Sequence, residues 1–427
     1  MRFATWRRGL FMAAALVLAV CGANFMDPFL YAFRPWSAPA IVLAGIAGLL
    51  WSCIRSPRSK LAVLPWLAVP VAVGFAWSSV ALDRLAVMSA DTDEIAMLGR
   101  HFVVGYESAD QIEPLVAGGF VGGIVVNRHN AAHRTAAQLR DEIARLRAAR
   151  RDAGRSDLIV AADQEGGSVS HLSPLLPAMP PLSAIPADAH MMDAAYAYGL
   201  YQGLGLIDLG INVDFSPVLD LKSGASSVFD RTSRIAERAI SADPNTAGTI
   251  GLGYARGLAK AGVIPTAKHF PGLGSIRVDT HVFSASTDAG KSELERGDWI
   301  PFRQVLGGSD ALLMLGHVTV RAIDPDNPAS HSKRVVEGLI RGEWGYHGVL
   351  ITDDLVMGAI YHHGFCAALV DGLNAGVDLL LIAYDGQQYY RAMSCALDAL
   401  RRGRIDRTAL EESARRLNGL GRRGADS

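Results

Sequence analysis

Residues 268–281, KHFPGLGSIRVDTH, gather Lys268, His269, Asp279 and His281 on a segment broken by Pro271, Gly272 and Gly274, directly after the apolar run AGVIPTA. Other ionisable side chains also sit at the ends of apolar runs. Asp163, Gln164 and Glu165 close LIVAA, Asp220 closes NVDFSPVL, His317 follows ALLMLG, and Asp353 and Asp354 close GVLIT. Taken singly, each has a plain structural role. Lys268 reads as a paired core lysine, His317 as a satisfied buried histidine, and Asp354 as a cap on the segment that follows. Five runs that turn polar at the same end are harder to explain that way, because burying such groups unpaired costs roughly 2–7 kcal/mol each.

The residue types limit the chemistry. Asp279-x-His281 and His362-His363 are possible metal ligands, but no H-E-x-x-H or cysteine pair accompanies them. A serine hydrolase would show a nucleophile elbow such as G-x-S-x-G, and there is none. A nucleotide site would show a strand-linked G-x-G-x-x-G or a Walker A pattern, also not found. What remains is a carboxylate at a strand end, an Asp-His pair on a loop, and polar groups suited to holding hydroxyls. That set fits glycosyl transfer through a covalent intermediate, with no cofactor implied.

These groups need elements to hold them. Strand-like runs occur at 101–106, 122–127, 158–163, 212–220, 263–269, 311–318, 348–354 and 377–383. Amphipathic stretches such as 134–150, 245–262 and 407–420 are interspersed with them; the Arg-rich first of these reads as a solvated outer face. Runs that are continuously apolar, rather than alternating, argue for a parallel sheet buried on both faces. The pattern predicts an α/β fold, a (β/α)₈ TIM-type barrel, with a doubly wound open sheet as the runner-up. In a barrel the polar strand ends converge on one rim, where active sites form.

The chain has 427 residues and a net charge of −1, so nothing in its charge points to nucleic acid. Its hydropathy is concentrated in residues 1–83, which hold apolar stretches at 9–26, 37–53 and 61–82. Each approaches the ~20 residues needed to cross a bilayer. Arg2, Arg7 and Arg8 precede the first, only Arg34 lies between the first and second, and Arg55, Arg58 and Lys60 separate the second from the third. The alternation predicts three transmembrane helices with the N-terminus inside and residues 84–427 on the outer side of the inner membrane. A cleaved signal peptide is the competing reading of the first stretch. Cys21 and Cys53 fall in the apolar stretches. Cys366 and Cys395 are expected to be buried free thiols, with pairing in an oxidising compartment the alternative.

Three motifs then resemble glycoside hydrolase family 3, in particular its bacterial N-acetyl-β-glucosaminidase branch. KHFPGLGSIRVDTH (268–281) looks like that branch's K-H-[FI]-P-G-[HL]-G-x₄-D-[ST]-H signature. LIRGEWGYHGVLITDD (339–354) is similar to its nucleophile signature, and AADQEGG (161–167) to its D-Q-E-G-G turn. GINVDFSPVLD, DWIPFRQVL and PASHS match more weakly, and the order of motifs extends the resemblance over roughly residues 95–420.

The resemblance implies that Asp353 is the nucleophile and that His281, oriented by Asp279, is the acid/base. A histidine with a reference pKa of about 6.5 can give and take a proton near neutrality. The Pro and Gly residues of the loop would let it swing toward the glycosidic oxygen and back. Asp163, Lys268, His269 and Arg238 would hold sugar hydroxyls and the N-acetyl group. The chain departs from the family pattern at Ser168 and His171, where arginines are usual, at Ala239-Ile240 after Arg238, and at Val356.

The expected protein is thus a membrane-anchored retaining β-N-acetylhexosaminidase. It would cut terminal β-linked N-acetylglucosamine, with cell-wall (peptidoglycan) fragments as a candidate source, and its partners would be carbohydrate and the lipid bilayer. A β-glucosidase or glycoside phosphorylase on the same barrel is one alternative. A sugar-binding membrane sensor without catalysis is the other, and the retention of Asp353, Asp279 and His281 together argues against it.

Overall fold

A computed structural model describes residues 2–55, 60–222, 233–274, 276 and 284–423. Asp279 and His281 lie outside the described residues. The chain forms two compact units, Met1–Ser89 and Ala90–Ser427.

The first unit contains α1 (Arg2–Ala23), α2 (Arg34–Arg55) and α3 (Lys60–Met88). Among the described residues two segments, Pro28–Ile54 and Val63–Met88, are long and apolar enough to cross a membrane, against the three expected. The reason is length. The arginines at the start of α1 leave an apolar portion of only Gly9–Ala23, short of the ~20 residues that cover a hydrocarbon core. Small residues let the helices approach closely. A Cβ on Gly45 would meet Val69 at 2.8 Å, and one on Gly48 would run into the Trp66 ring. The Arg34 side chain donates to the carbonyls of Phe25 (3.4 Å) and Met26 (3.0 Å), which close the turn after α1.

The second unit is a parallel barrel. Its strands are β1 (Phe102–Gly105), β2 (Gly123–Val125), β3 (Ile159–Ala162), β4 (Val213–Asp214), β5 (Ile264–Phe270), β6 (Leu312–Leu315), β7 (Leu350–Thr352) and β8 (Leu380–Ile382). All eight lie in one sheet in chain order, with β8 pairing back onto β1. The gap between β7 and β8 is closed by the Ile351–Leu379 bridge and by Thr352 N donating to Leu379 O at 2.9 Å. Each predicted run supplies one of these strands. Inward-facing Val103, Val125, Ala161, Val213, Leu312, Met314, Ile351 and Leu381 fill the interior, so the barrel is a packed core rather than a pore.

Cys366 and Cys395 are disulfide-bonded, not free thiols. The bond joins helix Gly358–Asn374 to helix Tyr389–Arg401, with the two Cα atoms 5.5 Å apart. Cys366 is exposed and Cys395 half-buried, so the apolar burial expected of free cysteines is not what holds them.

Candidate active site

The C-terminal ends of β3, β4 and β5 place a connected set of charges on one rim. After β3 the chain turns through Asp163-Gln164-Glu165-Gly166-Gly167. Gly166 has φ +84°, and a Cβ there would meet the Tyr198 hydroxyl at 2.1 Å and the Pro180 carbonyl oxygen at 2.7 Å. Only glycine fits that turn. From below, Asp214 fixes the turn by accepting from Gln164 N at 3.0 Å. Asp214 is fully buried and also accepts from Ser216 (2.6 Å) and Tyr254 (3.0 Å); burial pushes its carboxyl up to about 7.

Lys268, near the end of β5, points into this turn. Its Nζ lies 2.5 Å from Asp163 Oδ1 and 2.6 Å from Glu165 Oε1. Arg238, at the end of the short helix Ile235–Arg238, forks onto the same glutamate, with Nε to Oε2 at 2.9 Å and Nη2 to Oε1 at 2.7 Å. Burial alone would raise the Glu165 carboxyl, but Arg238 and Lys268 override it and hold it well below the usual carboxylate range. Burial likewise works against the Lys268 ammonium, and Asp163 and Glu165 overcome it and raise its pKa. The Asp163 side chain is 23% exposed against 2% for Lys268 and 6% for Glu165. Of the three, Asp163 is the one an incoming ligand can reach.

His269 follows Lys268 and packs against the end of β4. Its Nδ1 is 2.6 Å from Asp220 Oδ2, and Arg238 Nη2 approaches its Nε2 at 3.4 Å. A guanidinium only donates, so Nε2 is the acceptor and Nδ1 carries the proton toward Asp220. The other Asp220 oxygen accepts from Leu273 N at 2.7 Å, which ties the start of the 268–281 loop to the rim.

Asp353 follows β7, half-buried, and its backbone N–H donates to Leu315 O at the end of β6, at 2.8 Å. Its neighbour turns the other way. Asp354 accepts from Tyr384 N (2.8 Å) and Val356 N (3.2 Å), and burial raises its carboxyl to about 7. His317 holds this peptide from behind, with Nε2 donating to Asp354 O at 3.0 Å and Nδ1 bonded to Ser330 Oγ at 2.8 Å. The plain readings of His317 and Asp354 therefore describe what these side chains do, while Asp353, whose Oδ1 accepts from Asp354 N at 2.8 Å, stands at the rim.

The comparisons with known proteins agree with this geometry. Residues 89–420 match the N-terminal domain of glycosyl hydrolase family 3. The chain belongs to that family. It is 34% identical over 266 residues to a beta-hexosaminidase of Pseudomonas aeruginosa, covering 62% of this chain and 76% of that one. Among solved structures, it is similar to a glycoside hydrolase family 3 beta-N-acetylglucosaminidase from Paenibacillus sp., with a TM-score of 0.71 and 31% identity over 78% of this chain. The match spans 63% of the Paenibacillus chain, under two thirds of its length. A family 3 glycosyl hydrolase from Mycobacterium smegmatis aligns with a TM-score of 0.68 and 30% identity, over 78% of this chain and 98% of that one.

Within this glycoside hydrolase the structure brings together four of the predicted positions: Asp163, Arg238, Lys268 and His269. Asp353 stands at the end of β7 on the same rim. Two partners belong with the first group, Glu165 and Asp220, which the sequence marks as polar strand ends but gives no role. The signal was there, since both are acids at strand ends. What spacing alone could not show was that a cation 73 positions away closes onto Glu165. His171, in place of an arginine, sits with Nδ1 4.0 Å from Asp163 Oδ2; burial lowers its pKa despite the nearby carboxylate. Ser168 is exposed on the turn.

Proposed function

We propose that this family 3 enzyme is a membrane-anchored retaining β-N-acetylhexosaminidase that releases terminal β-linked N-acetylglucosamine, with peptidoglycan fragments as a source. The observation that carries the reading is the division of labour between the two adjacent aspartates. Asp354 is buried and held by the backbone N–H groups of Val356 and Tyr384, whereas Asp353, which accepts from Asp354 N at 2.8 Å, is half-buried at the end of β7; this supports Asp353 as the nucleophile. The names of the Pseudomonas and Paenibacillus relatives support the substrate class.

In this reading Asp353 forms the glycosyl-enzyme as His281 gives its proton to the leaving oxygen. His281 then takes a proton from the water that releases the sugar. Asp279 orients the imidazole. Asp163 and His269 hold sugar hydroxyls, and Lys268 and Arg238 fix the carboxylates around them. The two long apolar helices serve as the membrane anchor, with α1 as a shorter apolar segment before them. The disulfide supports an oxidising outer compartment for the barrel.

The test compares aryl N-acetyl-β-glucosaminide with aryl β-glucoside, with and without phosphate, using the full chain. Preference for the N-acetyl substrate and indifference to phosphate is the expected result. Preference for glucoside, or dependence on phosphate, would replace this reading with a β-glucosidase or a phosphorylase. Topology is tested separately, by reporters fused after Ser89. A reporter that works only in an oxidising compartment should be active there, and activity of a cytoplasmic reporter instead would reverse the orientation.

A further inference from the structure

The barrel has a second concavity at the opposite end from the rim just described. Its volume is about 320 Å³, and it opens where β3, β4 and β5 begin. The floor is apolar. Val213 and Ile264 belong to the barrel wall, and Leu417 from the C-terminal helix Arg407–Arg423 packs against the barrel core. Arg100, Arg150 and Arg155 contribute cationic lining.

The three guanidiniums are not equivalent. Arg150 is occupied, donating to the carbonyls of Ser156 (2.5 Å) and Val121 (2.7 Å). Arg100 uses its Nε on Ala96 O at 3.1 Å, and no hydrogen bond or ion pair engages its Nη atoms among the described residues. Arg155 Nε is buried with no partner among the described residues. Its guanidinium lies over Gly119, where a Cβ would stand 3.1 Å from Arg155 Cζ, so the glycine leaves the group its seat. Asp157 is the one carboxylate in the lining, and it makes no ion pair within 4.0 Å among the described residues. Burial, then repulsion from Arg155, lowers Arg150 to about 10, with Asp157 opposing and Arg100 adding to the repulsion. A buried unpaired donor is costly, and two free guanidinium edges above an apolar floor match an anion that carries an apolar group.

We propose that this cavity binds a phosphate monoester bearing an alkyl chain, with the phosphate on Arg100 and Arg155 and the chain against Ile264 and Leu417. The chemistry is shared by an anionic lipid and by a soluble alkyl phosphate.

The test is calorimetric titration of the full chain in phosphatidylcholine nanodiscs with n-hexyl phosphate, inorganic phosphate and hexanol. Hexyl phosphate should bind, inorganic phosphate more weakly, and hexanol not measurably. Arg155→Gln and, separately, Arg100→Gln should each weaken hexyl phosphate binding by about tenfold, the scale of losing a charge-assisted contact. Glycoside hydrolysis should be unchanged in both, which also shows that they fold. If binding is unchanged in both variants, if hexanol binds as well as hexyl phosphate, or if hexyl phosphate does not bind at millimolar concentration, the proposal is wrong. Repeating the titration in discs containing phosphatidic acid, a lipid with a phosphate monoester head, identifies the source. Loss of the hexyl phosphate signal there means that the lipid occupies the cavity, and an unchanged signal means that the ligand is soluble.

Discussion

Arg238 grips Glu165 with two parallel hydrogen bonds, 2.9 Å from Nε and 2.7 Å from Nη2, and Lys268 closes on the same carboxylate from the other side at 2.6 Å. One buried acid therefore holds two cations, and the turn carrying Asp163 rests on it. Glu165→Gln should cost about 3–5 kcal/mol of stability, the scale of leaving a buried charge unpaired. It should also reduce turnover by freeing Lys268 and Arg238 to move. Denaturant unfolding and kcat/KM on one aryl substrate check both. Unchanged stability would mean that water or another group takes over the pairing.

Asp163 should behave differently, because it is the accessible member of the cluster. Asp163→Ala removes a contact to the sugar while Glu165 still neutralises Lys268. KM should rise and turnover fall with the thermal midpoint nearly kept. Unchanged kinetics would place the sugar elsewhere.

The pH dependence of stability separates two buried acids by sign. Glu165 titrates lower in the fold than its ordinary 4.5. Its stabilisation is present above that value and is lost as pH falls below it. Asp354 is raised from 3.8 to about 7 by burial. Between those values the folded chain keeps a proton that the unfolded chain has given up, so its contribution is complete below 3.8 and drains away as pH rises to about 7. Asp354→Asn should flatten the stability profile between pH 4 and 7 by up to about 1.4 kcal/mol per pH unit. Glu165→Gln should remove part of the acid-side loss. An Asp354→Asn profile that superimposes on the wild type would show that this carboxyl is ionised in the fold.

The Cys366–Cys395 bond closes a loop with a sequence separation of 29, and a bond of this kind contributes about 2–4 kcal/mol. Reductant should lower the thermal midpoint of the wild type and leave that of Cys366→Ala/Cys395→Ala unchanged. Equal sensitivity of both proteins to reductant would mean that the bond contributes nothing.

How much of this could be read from the sequence follows from the range of the interactions. Runs such as LIVAAD and VDLLLIA are apolar on both sides, which only a sheet covered on both faces requires, so the barrel was legible. The limits of single strands were not. NVDFSPVLD shrinks to Val213–Asp214, and its contact with β5 resumes as a single parallel bridge from Val218 to Lys268, beyond Pro217, which has no N–H to give. ALLMLGHV divides into Leu312–Leu315 and Val318–Val320, with His317 turned between them onto the Asp354 carbonyl. Acids at strand ends were visible as candidates, but their partners were not. The bonds from Glu165 to Arg238 and from Asp220 to His269 join positions 73 and 49 apart, and no local pattern encodes such distances. The pairing of Cys366 with Cys395 depends in the same way on how two helices pack.

The account of the acid/base rests on leaving-group chemistry. His281→Ala should lose the ~10²–10⁴-fold that proton transfer typically supplies on glycosides with poor leaving groups. It should lose little in the glycosylation step of an activated aryl glycoside. Equal losses on both would remove His281 from this role.

The central claim, that Asp353 forms a covalent glycosyl-enzyme, is tested most directly by acid-quenching a single turnover of an aryl N-acetyl-β-glucosaminide on the full chain and mapping the peptides by mass. The account predicts one N-acetylhexosamine on the peptide spanning the end of β7, attached at Asp353 and missing from Asp353→Ala. A sugar on any other residue, or full turnover by Asp353→Ala, would contradict it.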